Sequence, residues 1–238
     1  MAIYRLRADL AFPPTSDAEP SGLLAVGGDL SPERLLRAYA SGIFPWYEEP
    51  PILWFSPDPR TLLEPGALHV SRRLLRTLRQ GRFELRLDGA FGEVIRSCAR
   101  VPRRGASGTW ITPEMIEAYE RLHALGYAHS AEAWQAGELV GGVYGVSLGS
   151  AFFAESMFHS VSDASKAALT ALVWQLEAWS FTLFDCQLAS PHLASLGTSE
   201  CPRARFEHRL ARALRTKTRR GAWVLDAEGL RARLEIPR

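Results

Sequence analysis

Three polar residues, Glu155, Asp185 and Gln187, stand in stretches otherwise composed for burial. Glu155 follows a Gly-rich apolar run, Leu139 to Phe153, and Asp185 and Gln187 belong to Phe181 to Leu188, which reads as a strand. Alternation with period two turns Asp185 and Gln187 to one face and Phe184 and Cys186 to the other. A buried carboxylate is costly unless paired or hydrogen-bonded, so two in such surroundings mark a site. The set suits acyl transfer to an amine, in which the nucleophile is held, its proton is removed and an activated ester is positioned. Asp185 reads as an orienting group or the ultimate base, Gln187 as its neutral hydrogen-bonding partner, and Glu155 as the carboxylate that receives an ammonium or orders the site. The alternative is that both acids only satisfy buried backbone or Lys166.

Other chemistries are less well supplied. The six histidines are scattered, with no HExxH and no companion cysteines, so no metal is expected. Ser156 lacks the GxSxG elbow of a hydrolase. His159 and His192 read as structural more readily than as general bases. Gly27-Gly28 lacks the spacing of a phosphate loop, and no RxxGxG-like loop is present to hold a coenzyme A pyrophosphate. Cys98, Cys186 and Cys201 form no CxxC and read as reduced thiols, Cys186 being inert and turned away from Asp185.

The elements that must position these groups follow from local signals. Ser31 with Pro32, Ser71, and Thr112 with Pro113 open helices whose apolar sides carry Leu35, Leu36 and Tyr39, then Leu74, Leu75 and Leu78, then Met115, Tyr119 and Leu122. Phe83 to Leu87 reads as a strand, Phe91 to Arg100 as a helix and Arg103 to Trp110 as a basic loop. Ala128 to Trp134 and Leu139 to Val146 form a hairpin. After His159 to Asp163 an apolar helix runs to about Trp179. A helix is expected from about Pro202 to Leu214, and a final strand over Trp223-Val224-Leu225. The segment 43–60 is too rich in proline for a helix or a central strand, yet aromatic enough at Phe44, Trp46, Trp54 and Phe55 to wall a pocket or pack two domains together. This pattern predicts an α+β fold, with a small N-terminal domain over 1–62 and a larger domain over 63–238.

A composition of 47% hydrophobic and 23% charged residues excludes a disordered chain. No run of eighteen apolar residues and no signal-peptide pattern appears, which predicts a cytoplasmic protein without a membrane partner. Residues 1–65 carry a balance of −4 and the remainder +6, almost all of it arginine. Arg72, Arg73, Arg76 and Arg79 crowd one helix with no acid nearby in sequence, as a phosphate backbone would require.

In order along the chain, Gly22-Leu23-Leu24-Ala25-Val26-Gly27-Gly28-Asp29-Leu30, Gly42-Ile43-Phe44-Pro45-Trp46 and Leu53-Trp54-Phe55-Ser56-Pro57-Asp58-Pro59-Arg60 are followed by Gly108-Thr109-Trp110-Ile111-Thr112, Gly141-Gly142-Val143-Tyr144-Gly145-Val146, Glu155-Ser156-Met157-Phe158, Ser165-Lys166, Asp185-Cys186-Gln187 and Ala194-Ser195-Leu196-Gly197. Together they resemble the bacterial leucyl/phenylalanyl-tRNA–protein transferases. The resemblance implies a C-terminal domain like the GCN5-related N-acetyltransferases, a mixed sheet flanked by helices with aminoacyl-tRNA in place of acetyl-CoA and no cofactor. It implies transfer of leucine or phenylalanine, and methionine less well, to proteins with N-terminal Arg or Lys, which marks them for degradation. The chain is expected to act as a monomer. By the same resemblance Asp185 and Gln187 are the catalytic pair and Glu155 the acceptor-binding carboxylate. Val143, Phe152, Leu169 and Leu172 form the aminoacyl side-chain pocket, Trp46 and Trp110 meet the terminal adenosine or substrate, and Arg72, Arg73, Arg76 and Arg79 face the acceptor stem. Val143 stands where a larger methionine can occur. The proton is drawn off by Asp185 through Gln187 or shuttled by the ribose hydroxyl. A leucyl transferase for acidic N-termini and a non-catalytic tRNA-binding module are the alternatives.

Overall fold

Residues 3–7, 9–101 and 109–236 are described by a computed structural model, in which the strands form two sheets. The first part of the chain contributes β1 (Tyr4–Leu6), β2 (Leu23–Gly27), α1 (Pro32–Ala40), β3 (Phe44–Pro45) and β4 (Leu53–Phe55). These strands make a small sheet in the order β1-β2-β4-β3. The proline-rich segment therefore does hold an inner strand. Its prolines flank β4 instead of interrupting it, and Trp54 at its centre is fully buried, donating Nε1 to the Gly27 carbonyl at 2.8 Å.

The rest follows as β5 (Arg60–Leu63), α2 (Arg72–Arg79), β6 (Glu84–Leu87), α3 (Phe91–Arg100), α4 (Pro113–Ala124), β7 (Ala128–Gln135), β8 (Glu138–Leu148), β9 (Ala151–His159), α5 (Ala164–Ala178) and β10 (Leu183–Gln187). The chain ends with α6 (Pro191–Ala194), β11 (Ser199–Cys201), α7 (Arg203–Ala213) and α8 (Ala227–Glu235). The large sheet runs β11-β5-β10-β9-β8-β7-β6. Only β9 and β10 in it pair parallel, because α5 carries the chain back over the sheet between them. The fold is α+β with a mixed sheet, as expected. A division at 62/63 would split β5, which pairs wholly within the large sheet, so we propose the domain boundary at 56–59.

Local chemistry explains most of the elements. Ser31, Ser71 and Thr112 accept the Arg34, Leu74 and Met115 backbone N–H groups as N-caps. Ala136 and Gly137, both at positive φ, make the two-residue turn between β7 and β8. The apolar run read as continuous from Leu139 to Phe153 is a second hairpin, turned at Gly149, whose φ is +58°. The expected strand at Trp223 does not form. The Trp223 N–H is taken by the Asp88 carboxylate at 2.7 Å, and the indole stacks on His129 with ring centroids 3.6 Å apart. That anchor delivers the chain to α8, which local pattern did not reveal. The basic stretch expected at 103–108 lies outside the described residues.

A core lies on each face of the large sheet. On one, α5 packs on β7 and β8, with α2 and α8 beside it. On the other, α3 and α4 join Phe153, Phe206 and the buried residues of the small sheet in one continuous cluster. Gly141 in β8 lets the start of α5 sit directly on the strand, since a Cβ there would meet Ala164 backbone at 2.7 Å. Gly141→Ala should cost about 1–3 kcal/mol through overpacking, each kcal/mol lowering Tm by roughly 2–4 °C, as thermal denaturation will measure.

Candidate active site

β9 and β10 pair at Leu183–Ala151, Phe184–Phe152 and Asp185–Phe153, and there the pairing ends. Just beyond, the register of β10 against β5 slips between Asp185 and Gln187, and Gln187 takes a left-handed backbone with φ +63°. The bulge overturns the simple alternation expected from sequence. Gln187 lines a cavity together with Phe184 and Cys186, while Asp185 is fully buried and absent from its wall.

Asp185 is engaged on both oxygens. Its Oδ1 accepts from Arg60 Nε at 2.9 Å and from the Gln187 backbone N–H at 2.9 Å, and its Oδ2 accepts from Arg60 Nη2 at 2.6 Å. Arg60 is as deeply buried. It gives a further hydrogen bond to the Gly42 carbonyl at 3.0 Å, and its guanidinium lies over the Phe44 and Phe206 rings at 5.0 and 4.5 Å.

Glu155 stands across the gap left where the two strands part. Its Oε1 accepts from Gln187 Nε2 at 2.8 Å and from the Tyr39 hydroxyl at 2.8 Å, and its Oε2 from the Tyr119 hydroxyl at 3.3 Å. The two phenols also touch each other. Burial, reinforced by the Asp185 charge and opposed by the hydrogen bonds, raises the Glu155 pKa from 4.5 to about 7. Burial also pushes both phenols well above their ordinary value, so they act as neutral donors.

The cavity has a volume of about 840 Å³. Val143 and Leu169 line it, and Trp110 forms part of the wall. Phe152 and Leu172 are fully buried in the core that includes Val143 and Leu169 and do not reach the wall, whereas Met157 does. Met157 was not found by sequence reasoning, and strand alternation would not single it out, because the register of β9 against β8 slips at Glu155 and four consecutive residues, Ala154 to Met157, line the cavity. Trp46 is 41% exposed, rests edge-on against Phe55 and is not part of the cavity. Arg60, Tyr39 and Tyr119 were not found by sequence reasoning as site residues. The two tyrosines occupy apolar helix faces, and nothing near Arg60 in sequence announces Asp185. Cys186 is a cavity-wall thiol whose pKa burial drives well upward, which keeps it protonated. His192 also lines the cavity, its pKa lowered by burial and by nearby Lys166 and His159.

The four arginines of α2 divide in two. Arg73 pairs with Asp163 at 3.2 Å, and Arg79 donates to the Leu234 and Ile236 carbonyls at 2.7 and 3.2 Å, holding the end of α8. Arg72 and Arg76 are exposed and, among the described residues, make no ion pair. Among the described residues no group of His, Cys, Asp and Glu side chains is arranged to hold a metal, and no helix is long and apolar enough to cross a membrane.

The family model for leucyl/phenylalanyl-tRNA protein transferase matches residues 62–211, and the model for that protein's N-terminal domain matches residues 28–58. The chain belongs to the leucyl/phenylalanyl-tRNA protein transferase family. A transferase of that name from Anaeromyxobacter sp. (strain Fw109-5) is 60% identical over 228 residues, 95% of this chain and 97% of its own. One from Myxococcus xanthus (strain DK1622) is 57% identical, covering 91% of this chain and 93% of its own. Among solved structures, a GCN5-related N-acetyltransferase-like protein from Streptococcus suis aligns over 67% of this chain and 59% of its own, with 14% identity and a TM-score of 0.34, a likeness too distant to carry function.

In this transferase family member the Arg60–Asp185 pair has a testable weight. Arg60→Met leaves Asp185 buried without its cation and should cost about 3–5 kcal/mol in urea denaturation. Adding Asp185→Leu should return part of that loss, since the uncompensated charge is then gone.

Proposed function

We propose that this chain takes leucine or phenylalanine, and methionine less well, from aminoacyl-tRNA and joins it to the α-amino group of proteins beginning with Arg or Lys, marking them for degradation. The observation that carries this reading is one cavity in which an apolar chamber meets a single buried carboxylate where β9 and β10 part. The aminoacyl side chain occupies the chamber at Val143, Met157 and Leu169, and Trp110 lies against the terminal adenosine. An apolar wall separates leucine, phenylalanine and methionine weakly, at roughly 1–3 kcal/mol per methylene. The acceptor ammonium is received by Glu155, and the Gln187 amide, its Nε2 held by Glu155, offers its oxygen to the attacking amine.

Asp185 acts as a positioning group in this reading, because both of its oxygens are spent on Arg60 and the Gln187 N–H. The ester is the activated partner, so peptide-bond formation runs downhill without a further energy source. Phe152 and Leu172 back the chamber from the core, and Trp46 stands outside it on the exposed rim of the small sheet. We place the reaction in the cytoplasm, where charged tRNA is found, and assign it to a monomer without a cofactor. A leucyl transferase for acidic N-termini fits less well, since a carboxylate on the wall repels an acidic acceptor.

Transfer of labelled leucine from leucyl-tRNA to peptides differing only at the first residue should be confined to Arg and Lys among Arg, Lys, Asp, Glu and Ala. Incorporation into Asp or Glu would move the assignment to the acidic-acceptor reaction. Tight tRNA binding with no incorporation would reduce the chain to a binding module. Arg72 and Arg76 provide a separate test of the tRNA face. Replacing both with Ala should weaken binding and reduce the slope of log K against log salt by roughly 1–2, without altering which amino acid is transferred.

A further inference from the structure

The amine in this reaction arrives as an ammonium, because an N-terminal α-amino group titrates at about 7.7–8.0, and it cannot attack a carbonyl until it has lost a proton. Two carboxylates stand near the centre of the site, but they are not equivalent. Asp185 has no exposed surface, is absent from the cavity wall, and accepts from Arg60 or the Gln187 N–H on each of its oxygens. A relay from the substrate to Asp185 would have to reach oxygens that lie outside the cavity wall and already accept from Arg60 and the Gln187 N–H. Glu155 lines the cavity and is 9% exposed. Its Oε1 holds two short hydrogen bonds, whereas its Oε2 accepts only the 3.3 Å bond from Tyr119 among the described residues. That oxygen has a lone pair available to the substrate.

We propose that Glu155, through Oε2, is the group that takes the proton from the acceptor's α-ammonium. The inference rests on the transferase reading above and assigns the proton within it. The ammonium N–H bond breaks, its electron pair stays on nitrogen, and the proton passes to Oε2. The neutral amine attacks the ester carbonyl, the C–N bond forms, and the ester C–O bond breaks. The ribose oxygen leaves with the electron pair of that bond and receives the amine's second proton. Glu155 then releases its proton to solvent through the cavity mouth, so one proton is liberated per peptide bond formed.

The surroundings tune Glu155 for this exchange. Its pKa of about 7 lies close to that of the amine, so the proton passes between near-equal partners. Tyr39 from α1, Tyr119 from α4 and Gln187 from β10 all donate to the carboxylate and hold it charged against burial. The charge of Asp185 pushes the other way. Tyr47 lies close to Tyr119, and His192 of α6 lines the same cavity. Tyr39 is thus a positioning residue, and removing its hydroxyl should raise the pH at which Glu155 ionises.

The test is the pH profile, from 5.5 to 9, of single-turnover leucyl transfer to a saturating peptide with N-terminal Arg. The wild type should gain activity as pH rises through about 7 and then level off. Glu155→Gln should be at least about 100-fold slower, its residual rate following the peptide's own amine near 7.7–8.0. Tyr39→Phe should move the acid limb to higher pH while keeping a plateau within several-fold of wild type, which a merely structural role would not do. A limb at the same pH in all three proteins overturns the proposal. A Glu155→Gln rate restored by raising the peptide above the concentration that saturates the wild type overturns it too and leaves Glu155 as a binding group. Wild-type protein that transfers nothing at any pH would instead remove the transferase reading, and this inference with it.

Discussion

A buried arginine–carboxylate pair joins parts of the chain that lie 125 positions apart. Arg60 opens β5, Asp185 lies in β10, Gly42 from the turn after α1 accepts a third bond, and Phe206 of α7 covers the guanidinium. Taking two charges out of water costs several kcal/mol for each ion, and the bidentate geometry with its additional hydrogen bonds offsets that cost. An apolar pair of similar size could hold β5 against β10 as well. It could not give the Gln187 N–H an acceptor, and that bond accompanies the bulge that turns the Gln187 side chain to the cavity. The site inherits its geometry from this pair.

The small sheet is part of the same construction. Its buried residues belong to a core continuous with one face of the large sheet, and its helix α1 sends Tyr39 to Glu155. The carboxylate is thus held by α1, α4 and β10 at once. Hydrogen bonds from these elements oppose the desolvation that raises its pKa. The absence of backbone pairing past Phe153 and Asp185 is what leaves room there for a substrate.

Much of this architecture was readable residue by residue. Ser31, Ser71 and Thr112 announced their helices through cap chemistry, and the α+β class followed from the alternation of hairpin and helical patterns. Glu155, Asp185 and Gln187 were conspicuous because charged and amide groups are out of place in apolar strands. The roles were less readable. Strict alternation paired Asp185 with Gln187, and only a bulge against a distant strand separates them. Arg73 and Arg79 looked like free cations, yet Asp163 and the carbonyls at the end of α8 claim them. Trp223 looked like a strand residue because aromatic and β-branched residues favour strands, but Asp88 and His129 anchor it outside any strand.

By itself the sequence determined whatever depends on a few neighbouring residues: helix starts, turn glycines, the faces of regular elements, and the family to which the ordered motifs belong. Tertiary structure alone decided which carboxylate is locked and which is open. The reason is physical. The state of a buried acid depends on the donors and charges packed around it, and Glu155 and Asp185 receive theirs from Tyr39, Tyr119 and Arg60, between 36 and 125 positions away in sequence.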